Sequence, residues 1–427
     1  MPELRTEILV IGAGPAGIAA AVSAERAGAR ALLVDMQAEP GGQIWRGQWA
    51  RPTLAPARQW LDALRGSPVD ARYGLRLVDF AEPGLAVFDT AQGAVRVRCE
   101  RLVIATGARE RQLPFPGWTL PGVFGAGGLQ VLVKNGWPVK GRRVVVAGSG
   151  PLLLAAAATL RAAGAEIACI AEQRRTRDLA RFALSLAPNP GKCLQAAILR
   201  TKLAGVPYRR NAWVERADGA GRVESICLRR GARSERIECD ALAVGFGLVP
   251  NTEIARLLGC ALHDGAVVVD EHQHSSVPGV YCAGEICGIG GVDQALVQGE
   301  IAGRAAAGAA TASFRLNIAR SRSAHFARAL RDAFVLRDEL RNLAGDDTLL
   351  CRCENVTFAQ VRGCRSQREA RLHARLGMGH CQARICGAAG EFLFGWDAEA
   401  TVRPPLAPSR LSCFTVVRSE STRQESP

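Results

Sequence analysis

The residues best suited to chemistry in this sequence are four cysteines near its carboxyl-terminal end. Cys351 and Cys353 form a CxC motif in "CRCENVT", and Cys381 and Cys386 form a CxxxxC motif in "GMGHCQARIC". Four thiolates can hold Zn²⁺ or an iron–sulfur cluster. Zinc sites more often use CxxC pairs, whereas this spacing can supply two thiolates to each iron of a [2Fe–2S] cluster. We therefore predict a [2Fe–2S] site, with zinc and free cysteines as the alternatives.

A second candidate site lies at the start of the chain, in "EILVIGAGPAGIAAAVSAERAGARALLVD" at 7–35. An apolar strand leads into a GxGxxG motif, a small-residue helix follows, and a second apolar strand ends in an acid. The first glycine permits a tight turn, the second lets a pyrophosphate approach the backbone, and the third lets the helix pack closely. The helix start offers free N–H groups to the phosphates, and the acid can accept from a ribose hydroxyl. The predicted dinucleotide contacts are Gly12, Gly14, Pro15, Ala16, Gly17 and Asp35.

Three later segments are expected to approach the same cofactor. They supply Gly41, Gly42 and Gln43 in "EPGGQIWR", Thr106 and Gly107 in "LVIATGARE", and Gly284 and Glu285 in "VYCAGEICGIGG". With the fingerprint, they resemble the two-dinucleotide-domain flavoproteins of the glutathione-reductase and thioredoxin-reductase type. The resemblance implies FAD at the first fingerprint, with Glu285 beside the ribitol and pyrophosphate, where that family more often has Asp.

The first pattern is repeated in "GRRVVVAGSGPLLLAAAATLRAAGAEIACIAE" at 141–172. Gly148 and Gly150 follow a strand and Glu172 ends the next one, but Leu153 replaces the third glycine. Leucine there requires a wider gap between helix and strand, and the acid disfavours a 2′-phosphate. Three interpretations stay open: an NAD(H) site, a structural or regulatory site for an adenine nucleotide such as ATP, and an empty structural repeat.

The redox and proton-transfer groups of a self-sufficient enzyme are missing from the sequence. No cysteine follows the Gly-Gly-Gln turn until Cys99, and the second repeat has no CxxC pair. Cys282 is expected in the core, whereas Cys287 could approach the flavin. We identify no general base for substrate oxidation, so the catalytic residues are unknown. The chain is therefore predicted to carry electrons without a substrate site of its own.

The cysteine motifs resemble the [2Fe–2S] module of the bacterioferritin-associated-ferredoxin type. Together with "ATGARERQLPFPGWTLPGV" at 105–123, "GSGPLLL" and "GFGLVPN", they make the chain similar, over residues 5 to about 410, to the A or α subunit of opine oxidases. The D-hydroxyproline dehydrogenases and hydrogen cyanide synthases are related to these. The resemblance implies a FAD and [2Fe–2S] electron-transfer subunit, partnered by a separately encoded flavoprotein subunit that oxidises an amino acid, opine or hydroxyproline. His380 and Ala383 depart from the family's usual arginine and glycine.

The predicted architecture is α/β, with two dinucleotide-binding domains and a small helical [2Fe–2S] module. A basic helix over 315–342 should pack through Phe326, Leu330 and Phe334, and apolar spacing from Val356 predicts helix between the cysteine pairs. The Pro-rich segment 403–410 should fold back over this module, and the last dozen residues have a composition typical of disorder. The predicted bounds are 1–113 and 245–311 for the FAD domain, 114–244 for the second domain, 312–346 for a helical linker, 347–410 for the module and 411–427 for a tail.

Composition limits the other classes of function. The net charge is +14, but the arginines are spread along the chain and only 5% of residues are aromatic, so we expect no nucleic-acid partner. No apolar run has the length of a membrane span, and the scattered cysteines suggest a reducing compartment, so we expect a cytoplasmic protein. Peripheral membrane association stays open. Two alternative functions also remain: a stand-alone NAD(P)H-dependent flavin reductase, and a non-enzymatic iron–sulfur storage or sensor protein.

Overall fold

The structure is a computed structural model that describes residues 3–311, 313–396 and 402–415. The segment 416–427, for which we predict disorder, lies outside the described residues. No helix among those described is long and apolar enough to cross a lipid bilayer.

The described strands are β1 (Glu3–Ile11), β2 (Ala31–Asp35), β3 (Asp70–Tyr73), β4 (Arg76–Glu82), β5 (Leu85–Thr90), β6 (Gly93–Ile104), β7 (Ala108–Glu110), β8 (Val123–Gly125), β9 (Arg143–Gly148), β10 (Glu166–Glu172), β11 (Tyr208–Arg210), β12 (Ala212–Asp218), β13 (Ser225–Arg230), β14 (Arg233–Glu238), β15 (Ala241–Gly245), β16 (Leu248–Pro250), β17 (Leu262–His263), β18 (Ala266–Val267), β19 (Val280–Cys282), β20 (Leu349–Cys351) and β21 (Val356–Thr357).

The described α-helices are α1 (Pro15–Arg26), α2 (Ala55–Arg65), α3 (Ala126–Lys134), α4 (Leu152–Ala162), α5 (Thr176–Ser185), α6 (Pro190–Lys202), α7 (Glu253–Leu257), α8 (Gly291–Ala306), α9 (Phe314–Ala333), α10 (Gln367–Ala374) and α11 (Cys386–Phe394). Short 3₁₀ helices occupy Glu285–Cys287, Asp338–Asn342 and Leu411–Cys413.

The first sheet has the strand order β3-β2-β1-β6-β5-β4, and β19 also pairs with β6. Strands β1, β2, β3, β6 and β19 run parallel, whereas β4 and β5 are antiparallel to their neighbours. In β1, Ile8 and Val10 pack on the α1 side and Leu9 and Ile11 on the opposite side. Burial on both faces explains why this strand is a continuous apolar run rather than an alternating one.

Helices α1 and α8 cross at very short distance on one face of this sheet. A Cβ atom at Gly299 would lie 2.2 Å from the Ala16 carbonyl oxygen, and one at Gly303 would lie 2.1 Å from the Ala20 carbonyl oxygen. Only glycine fits at these two positions, so the small residues of both helices bring the second half of α8 beside the first half of α1.

The second sheet is parallel, in the order β11-β10-β9-β15-β8, and a three-stranded antiparallel sheet of β12, β13 and β14 accompanies it. Its two faces carry separate apolar clusters, one around Val145 and Leu242 and the other around Val144 and Leu160. The predicted α/β class, with two sheets of the dinucleotide-binding type, is confirmed.

The predicted helix over 315–342 is shorter than expected. It ends at Ala333, and an irregular stretch separates it from the 3₁₀ helix at 338–342. The rings of Phe326 and Phe334 pack against Phe182 of α5, at centroid distances of 6.3 and 4.9 Å, which confirms packing for the apolar face. The helix stops at the point where the Phe334 ring lies against Gly150 of the second sheet's glycine loop, and Phe334 itself has non-helical backbone angles, φ −110° and ψ 33°.

The cysteine-bearing module spans two short strands and two helices. The prediction of helix from Val356 was wrong: Val356 lies in β21, which pairs with β20 after a turn at Asn355, whose φ is +52°. Helix begins only at Gln367, where the Ser366 side chain accepts from the Glu369 N–H. The β-branched Val356 suits a buried strand as well as a helix, so its spacing alone misled the prediction.

The Pro-rich segment 403–410 does not fold mainly over the cysteine module, as predicted, but over the first sheet. Leu406 is buried in a core cluster of that sheet, and its N–H donates to the Val78 carbonyl of β4 at 2.8 Å. Arg410 donates to the carbonyl of Thr90 at 2.7 Å. The segment also contacts the module's cysteine loop, where Gln382 donates to the Pro405 carbonyl and Arg384 donates to the Leu406 carbonyl.

Candidate cofactor sites

The first glycine fingerprint joins β1 to α1 and is built from close backbone contacts. Gly12 has a φ of +106°, and a Cβ atom there would lie 2.4 Å from the Ala105 carbonyl oxygen. A Cβ atom at Gly17 would lie 1.7 Å from the Gly12 carbonyl oxygen. These two positions therefore need glycine for the turn and for helix packing, as the sequence pattern predicts.

The middle glycine of the fingerprint faces open space. A Cβ atom at Gly14 would have only the Gly42 Cα, at 4.0 Å, within contact distance. Gly14 is the N-cap of α1, Pro15 and Ala16 begin the helix, and the first turn carries no acidic residue. The free N–H groups and the positive end of the helix dipole therefore remain available to an anionic ligand such as a pyrophosphate.

Asp35, at the end of β2, accepts two backbone hydrogen bonds: from Ala13 at 2.6 Å through Oδ2 and from Gln37 at 2.7 Å through Oδ1. Burial raises the pKa of this carboxyl group, and the backbone hydrogen bonds oppose that rise. The acid thus holds the fingerprint loop and the chain after β2 in fixed positions. Each oxygen retains a second lone pair with which it could accept from a ribose hydroxyl.

The Gly-Gly-Gln loop packs directly on the fingerprint. The Gly41 N–H donates to the Ala13 carbonyl at 2.7 Å, and a Cβ atom at Gly42 would lie 3.0 Å from the Gly14 Cα. The exposed Gln43 side chain accepts from Arg46 at 3.2 Å.

Arg46 is a residue of this loop that the sequence patterns did not single out. Its Nη2 donates to the side chains of Gln37 and Gln43, and its buried Nε has no hydrogen-bond partner. Burial and the nearby charge of Arg46 lower the pKa of Lys134, at the end of α3. This side of the loop therefore carries a positive field suited to an anionic group.

The two remaining predicted segments meet the fingerprint from other directions. Thr106 exchanges hydrogen bonds with Asn251, and Gly107 accepts from the Asn251 N–H at 2.9 Å. A Cβ atom at Gly284 would lie 2.8 Å from the Cβ of Ala16, so the late glycine lies directly against α1. Glu285 accepts from the Gly291 N–H at the start of α8, and burial raises the pKa of its carboxyl group. Four distant segments thus converge on one cleft.

The second fingerprint keeps the backbone geometry of the first. Gly148 has a φ of +138°, and a Cβ atom there would lie 1.9 Å from the Gly245 carbonyl oxygen. Glu172 is 1% exposed and accepts from the N–H groups of Gly150 at 2.7 Å and Arg174 at 3.0 Å. Burial raises the pKa of Glu172 to about 7. Leu153 fits in place of the third glycine because the residue that faces it on β15 is Gly245. A Cβ atom at Gly245 would lie 3.2 Å from the Leu153 Cδ2 atom.

The second fingerprint differs from the first in what lies over its middle glycine. The phenyl ring of Phe334 is the nearest group to a Cβ atom placed at Gly150, at 3.8 Å. The following residues are bonded to the segment after β10, which lies beside this loop: the Val335 carbonyl accepts from Gln173 and Arg174, and the Arg337 N–H donates to the Gln173 side chain at 3.0 Å. The chain after α9 therefore lies where a pyrophosphate would approach.

The four predicted ligand cysteines come together in the small module. Cys351 and Cys386 are each 1% exposed, and Cys353 and Cys381 are half-buried. The thiol of Cys353 lies within hydrogen-bonding reach of that of Cys381, and Cys386 has the same relation to Cys351. The closest contacts therefore join one cysteine of each motif, and Cys381 also acts electrostatically on Cys386.

The four thiols are the donor set that a binuclear cluster needs, although the described side chains do not stand in metal-coordinating positions. None of the cysteines in the described part of the chain is in a disulfide. Among the described residues, no group of three or more His, Cys, Asp or Glu side chains could hold a metal ion as the side chains stand. A [2Fe–2S] cluster asks for two thiolates at each of two irons, and the quartet consists of two close thiol pairs. Cys364 is partly buried and packs against the apolar cluster of the module, which places it among the packing residues.

The loop between the last two ligand cysteines has unusual backbone for its residues. Gln382 and Ala383 have φ values of +51° and +63°. The left-handed region favours glycine, the residue that the resemblance implies at this position, so alanine at 383 has unfavourable backbone angles.

Cys282 lies in β19 and is fully buried, which confirms the prediction that it belongs to the core. Its thiol is within hydrogen-bonding reach of Cys260, a neighbour that no sequence spacing indicated. This hydrogen bond lowers the pKa of Cys260 to about 7. Burial raises the pKa of Cys287.

Comparison with known proteins adds family membership to this geometry. The sequence profile of the family described as pyridine nucleotide-disulphide oxidoreductase matches residues 6–307. The A subunit of opine oxidase from Rhizobium meliloti (strain 1021) is 33% identical, over 95% of this chain and 97% of that protein. The HcnB subunit of hydrogen cyanide synthase from Pseudomonas aeruginosa is 32% identical, over 97% of this chain and 99% of that protein.

Solved structures show the same fold. The L-proline dehydrogenase from P. horikoshii superposes with a TM-score of 0.68 at 20% identity, covering 97% of this chain and 80% of that one. The thioredoxin reductase of T. acidophilum superposes with a TM-score of 0.54 at 21% identity, covering 71% of this chain and 98% of that one. The chain therefore belongs to the pyridine nucleotide-disulphide oxidoreductase family, and it is an oxidoreductase related over nearly its whole length to the A subunit of opine oxidase and the HcnB subunit of hydrogen cyanide synthase.

Proposed function

We propose that this protein is the FAD and [2Fe–2S] electron-transfer subunit of a heteromeric amino-acid, opine or hydroxyproline dehydrogenase. The observation that carries the proposal is that one chain holds both an open dinucleotide fingerprint and two close thiol pairs. Its relatives are named as subunits of oxidases and synthases, which supports a partner subunit. The partner would be a separately encoded flavoprotein that oxidises the substrate and passes electrons to this chain. The thiols of the described residues are all free, which supports a reducing, cytoplasmic location.

The first cleft is suited to FAD by what its residues offer. The N–H groups of Gly14, Ala16 and Gly17 would bind the pyrophosphate, and Asp35 would accept from the adenosine ribose. Glu285 and Gly284, brought against α1 at Ala16, would lie along the ribitol. The loop at Gly41 to Gln43, which packs on the fingerprint, would cover the middle of the bound cofactor.

The cysteine module is suited to a [2Fe–2S] cluster held by Cys351, Cys353, Cys381 and Cys386. When bound, FAD would supply two-electron redox chemistry and the cluster one-electron chemistry. The burial of Cys351 and Cys386 would shield the cluster from solvent on one side, while the half-buried Cys353 and Cys381 face the surface.

A stand-alone NAD(P)H-dependent reductase fits the structure less well. The Phe334 ring lies against Gly150, where a nicotinamide dinucleotide would place its pyrophosphate. Glu172 is only 1% exposed, whereas Asp35 of the first fingerprint is half-buried, so Glu172 is poorly placed to reach a ribose. An adenine nucleotide at this site would meet the same obstacles. A storage or sensor protein would need no open FAD cleft.

The test is to purify the chain anaerobically and measure FAD, iron and acid-labile sulfide, then mix it with NADH or NADPH in a stopped-flow instrument. We expect FAD, with iron and sulfide in equal amounts, and no rapid bleaching of the flavin by either nucleotide. Rapid bleaching would favour the reductase, and a protein with cluster but no FAD would favour the storage or sensor function. One zinc and no iron would refute the cluster. The Phe334→Ala variant, mixed with the same nucleotides, tests whether the Phe334 ring blocks nucleotide access to the second fingerprint.

A further inference from the structure

Arg109 of the first sheet's domain is bonded to the backbone of the loop that carries Cys381 and Cys386, beside the bonds that Gln382 and Arg384 make to the segment at Pro405 and Leu406. Arg109 lies in β7, directly after the Thr106–Gly107 turn. Its Nε donates to the carbonyl oxygen of Arg384 at 2.9 Å, in the middle of the cysteine loop. The contact joins residues that are 275 positions apart in the chain.

The other side of the same guanidinium is bonded to the turn at the predicted FAD cleft. Arg109 Nη1 donates to the Asn251 side-chain oxygen at 2.8 Å. Asn251 in turn donates through its side chain to the Thr106 carbonyl and through its backbone N–H to Gly107, both at 2.9 Å. An unbroken series of hydrogen bonds therefore runs from the cysteine loop to the turn that abuts Gly12.

Glu253 forms ion pairs with the arginines on both sides of this contact, Arg109 and Arg384. Its Oε1 lies 2.8 Å from Arg109 Nη1 and 3.7 Å from Arg384 Nε, so one carboxylate serves both arginines. The side chains of Arg109 and Glu253 are 24% and 20% exposed, so the pair is shielded from salt and solvent. Burial lowers the pKa of Arg109 and the charge of Glu253 raises it. An arginine remains charged in either case.

We propose that Arg109 is a positioning residue that fixes the cluster-binding loop against the FAD cleft and thereby sets the path for electron transfer between the two centres. The inference deepens the proposed function and rests on it. The planar fork of arginine matters, because one nitrogen holds the cysteine loop while another holds Asn251 and Glu253. Lysine keeps the charge but presents a single nitrogen, so it cannot make both contacts with this geometry.

The experiment compares Arg109→Gln and Arg109→Lys with Arg72→Gln. Arg72 forms an exposed ion pair with Asp70 on the same sheet, so its loss controls for removing an arginine from this domain. All three variants should retain FAD and iron at wild-type content. Hydrogen exchange at residues 381–387 should become about 10- to 100-fold faster in both Arg109 variants, as expected for the loss of a charge-assisted hydrogen bond.

The decisive readout is the rate at which the flavin and the cluster exchange electrons after photoreduction, with the midpoint potentials measured in parallel. We expect this rate to fall about tenfold or more in both Arg109 variants, because it depends on how the two centres are positioned, as enzyme reactions lose roughly 100-fold on a misplacement of about 1 Å. The Arg72 variant should match the wild type. Restoration of the rate by lysine would mean that charge alone matters and would overturn the positioning role.

Two other outcomes separate this inference from the function on which it rests. A wild-type protein without iron would refute the proposed function, and the positioning role would fall with it. A wild-type protein that carries both centres, with an unchanged transfer rate and unchanged exchange in Arg109→Gln, would overturn the positioning role alone. If Arg109→Gln loses iron altogether, the hydrogen exchange of the Arg109→Lys variant decides whether the loop has been released.

Discussion

Replacement of Gly14 by valine should abolish FAD binding and leave the fold intact. Gly14 has ordinary backbone angles, φ −77° and ψ −177°, and a Cβ atom there would meet only one atom, 4.0 Å away. Alanine at an N-cap costs about 0.5–1 kcal/mol relative to glycine. The protein without ligand should therefore lose little stability, because a larger side chain at this position points into the cleft.

The loss of affinity can be estimated from the contacts that the side chain would block. A pyrophosphate at a helix start accepts charge-assisted hydrogen bonds from backbone N–H groups, each worth about 1.5–3 kcal/mol. Displacement of two such bonds costs at least about 3 kcal/mol, which is more than a 100-fold increase in Kd. Gly14→Ala should show a smaller increase, because its single methyl group leaves part of the approach open.

The assay is a fluorescence titration of the protein without ligand by FAD, with thermal unfolding measured in parallel. Gly17→Ala is the contrasting variant, because it should damage the fold itself. Its Cβ would lie 1.7 Å from the Gly12 carbonyl oxygen, so it should lower the free energy of unfolding by about 3 kcal/mol or more. A valine variant that purifies with full FAD content would refute the assignment of this cleft. A valine variant that is as unstable as Gly17→Ala would refute the claim that the position is open.

Three further predictions follow from particular residues. Cys381→Ser should lose iron and sulfide while Cys364→Ser retains both, as measured by metal and sulfide analysis, because only Cys381 belongs to the thiol quartet. Ala370→Gly should lower the free energy of unfolding by about 2 kcal/mol more than Ala383→Gly. Both substitutions remove a buried methyl group, but glycine is unfavourable in the helix at Ala370 and favourable in the left-handed backbone at Ala383. The thermal stability should fall as the pH rises from about 5 to about 7, and the Glu172→Gln variant should lack this pH-dependent loss of stability.

The sign of the pH effect follows from burial. Glu172 has a pKa raised to about 7, so its ionised form is disfavoured in the folded state. Below the pKa that Glu172 has in the unfolded state, its burial costs no folding stability. Above its folded-state pKa of about 7, burial of the ionised carboxylate costs the full penalty, about 3 kcal/mol. Equal pH profiles for the wild type and Glu172→Gln would contradict this reasoning. Equal losses for the two alanine variants, or iron loss in Cys364→Ser, would contradict the other two predictions.

The sequence predicts the parts of the site whose requirements are local. The fingerprint needs glycine at Gly12 and Gly17 because a strand, a turn and a helix must meet within a few residues, and this constraint is visible in the spacing alone. The CxC and CxxxxC motifs are informative for the same reason. The bond between Asp35 and the fingerprint loop also follows from the regular length of a strand–helix–strand unit.

The sequence does not predict contacts between distant segments. Nothing in the pattern around Phe334 indicates that its ring lies on Gly150, since that contact depends on how α9 crosses between the two sheets. Arg109 appears in an ordinary stretch of sequence, and its bond to Arg384 exists only after the module folds against the first domain. The burial of Leu406 against the first sheet likewise depends on the path of the chain rather than on its proline content.

The central claim is that this chain carries electrons but relies on a partner to oxidise the substrate. The most direct measurement is dye reduction by the isolated chain, loaded with FAD and cluster, over a panel of opines, D- and L-amino acids and prolines, repeated after addition of the separately encoded flavoprotein subunit. Substrate oxidation requires a group that takes the amine proton and orients the C–H bond, and we identify no such group in this chain. The account predicts no turnover by the isolated chain and restored turnover with the partner, whereas robust turnover by the isolated chain would contradict it.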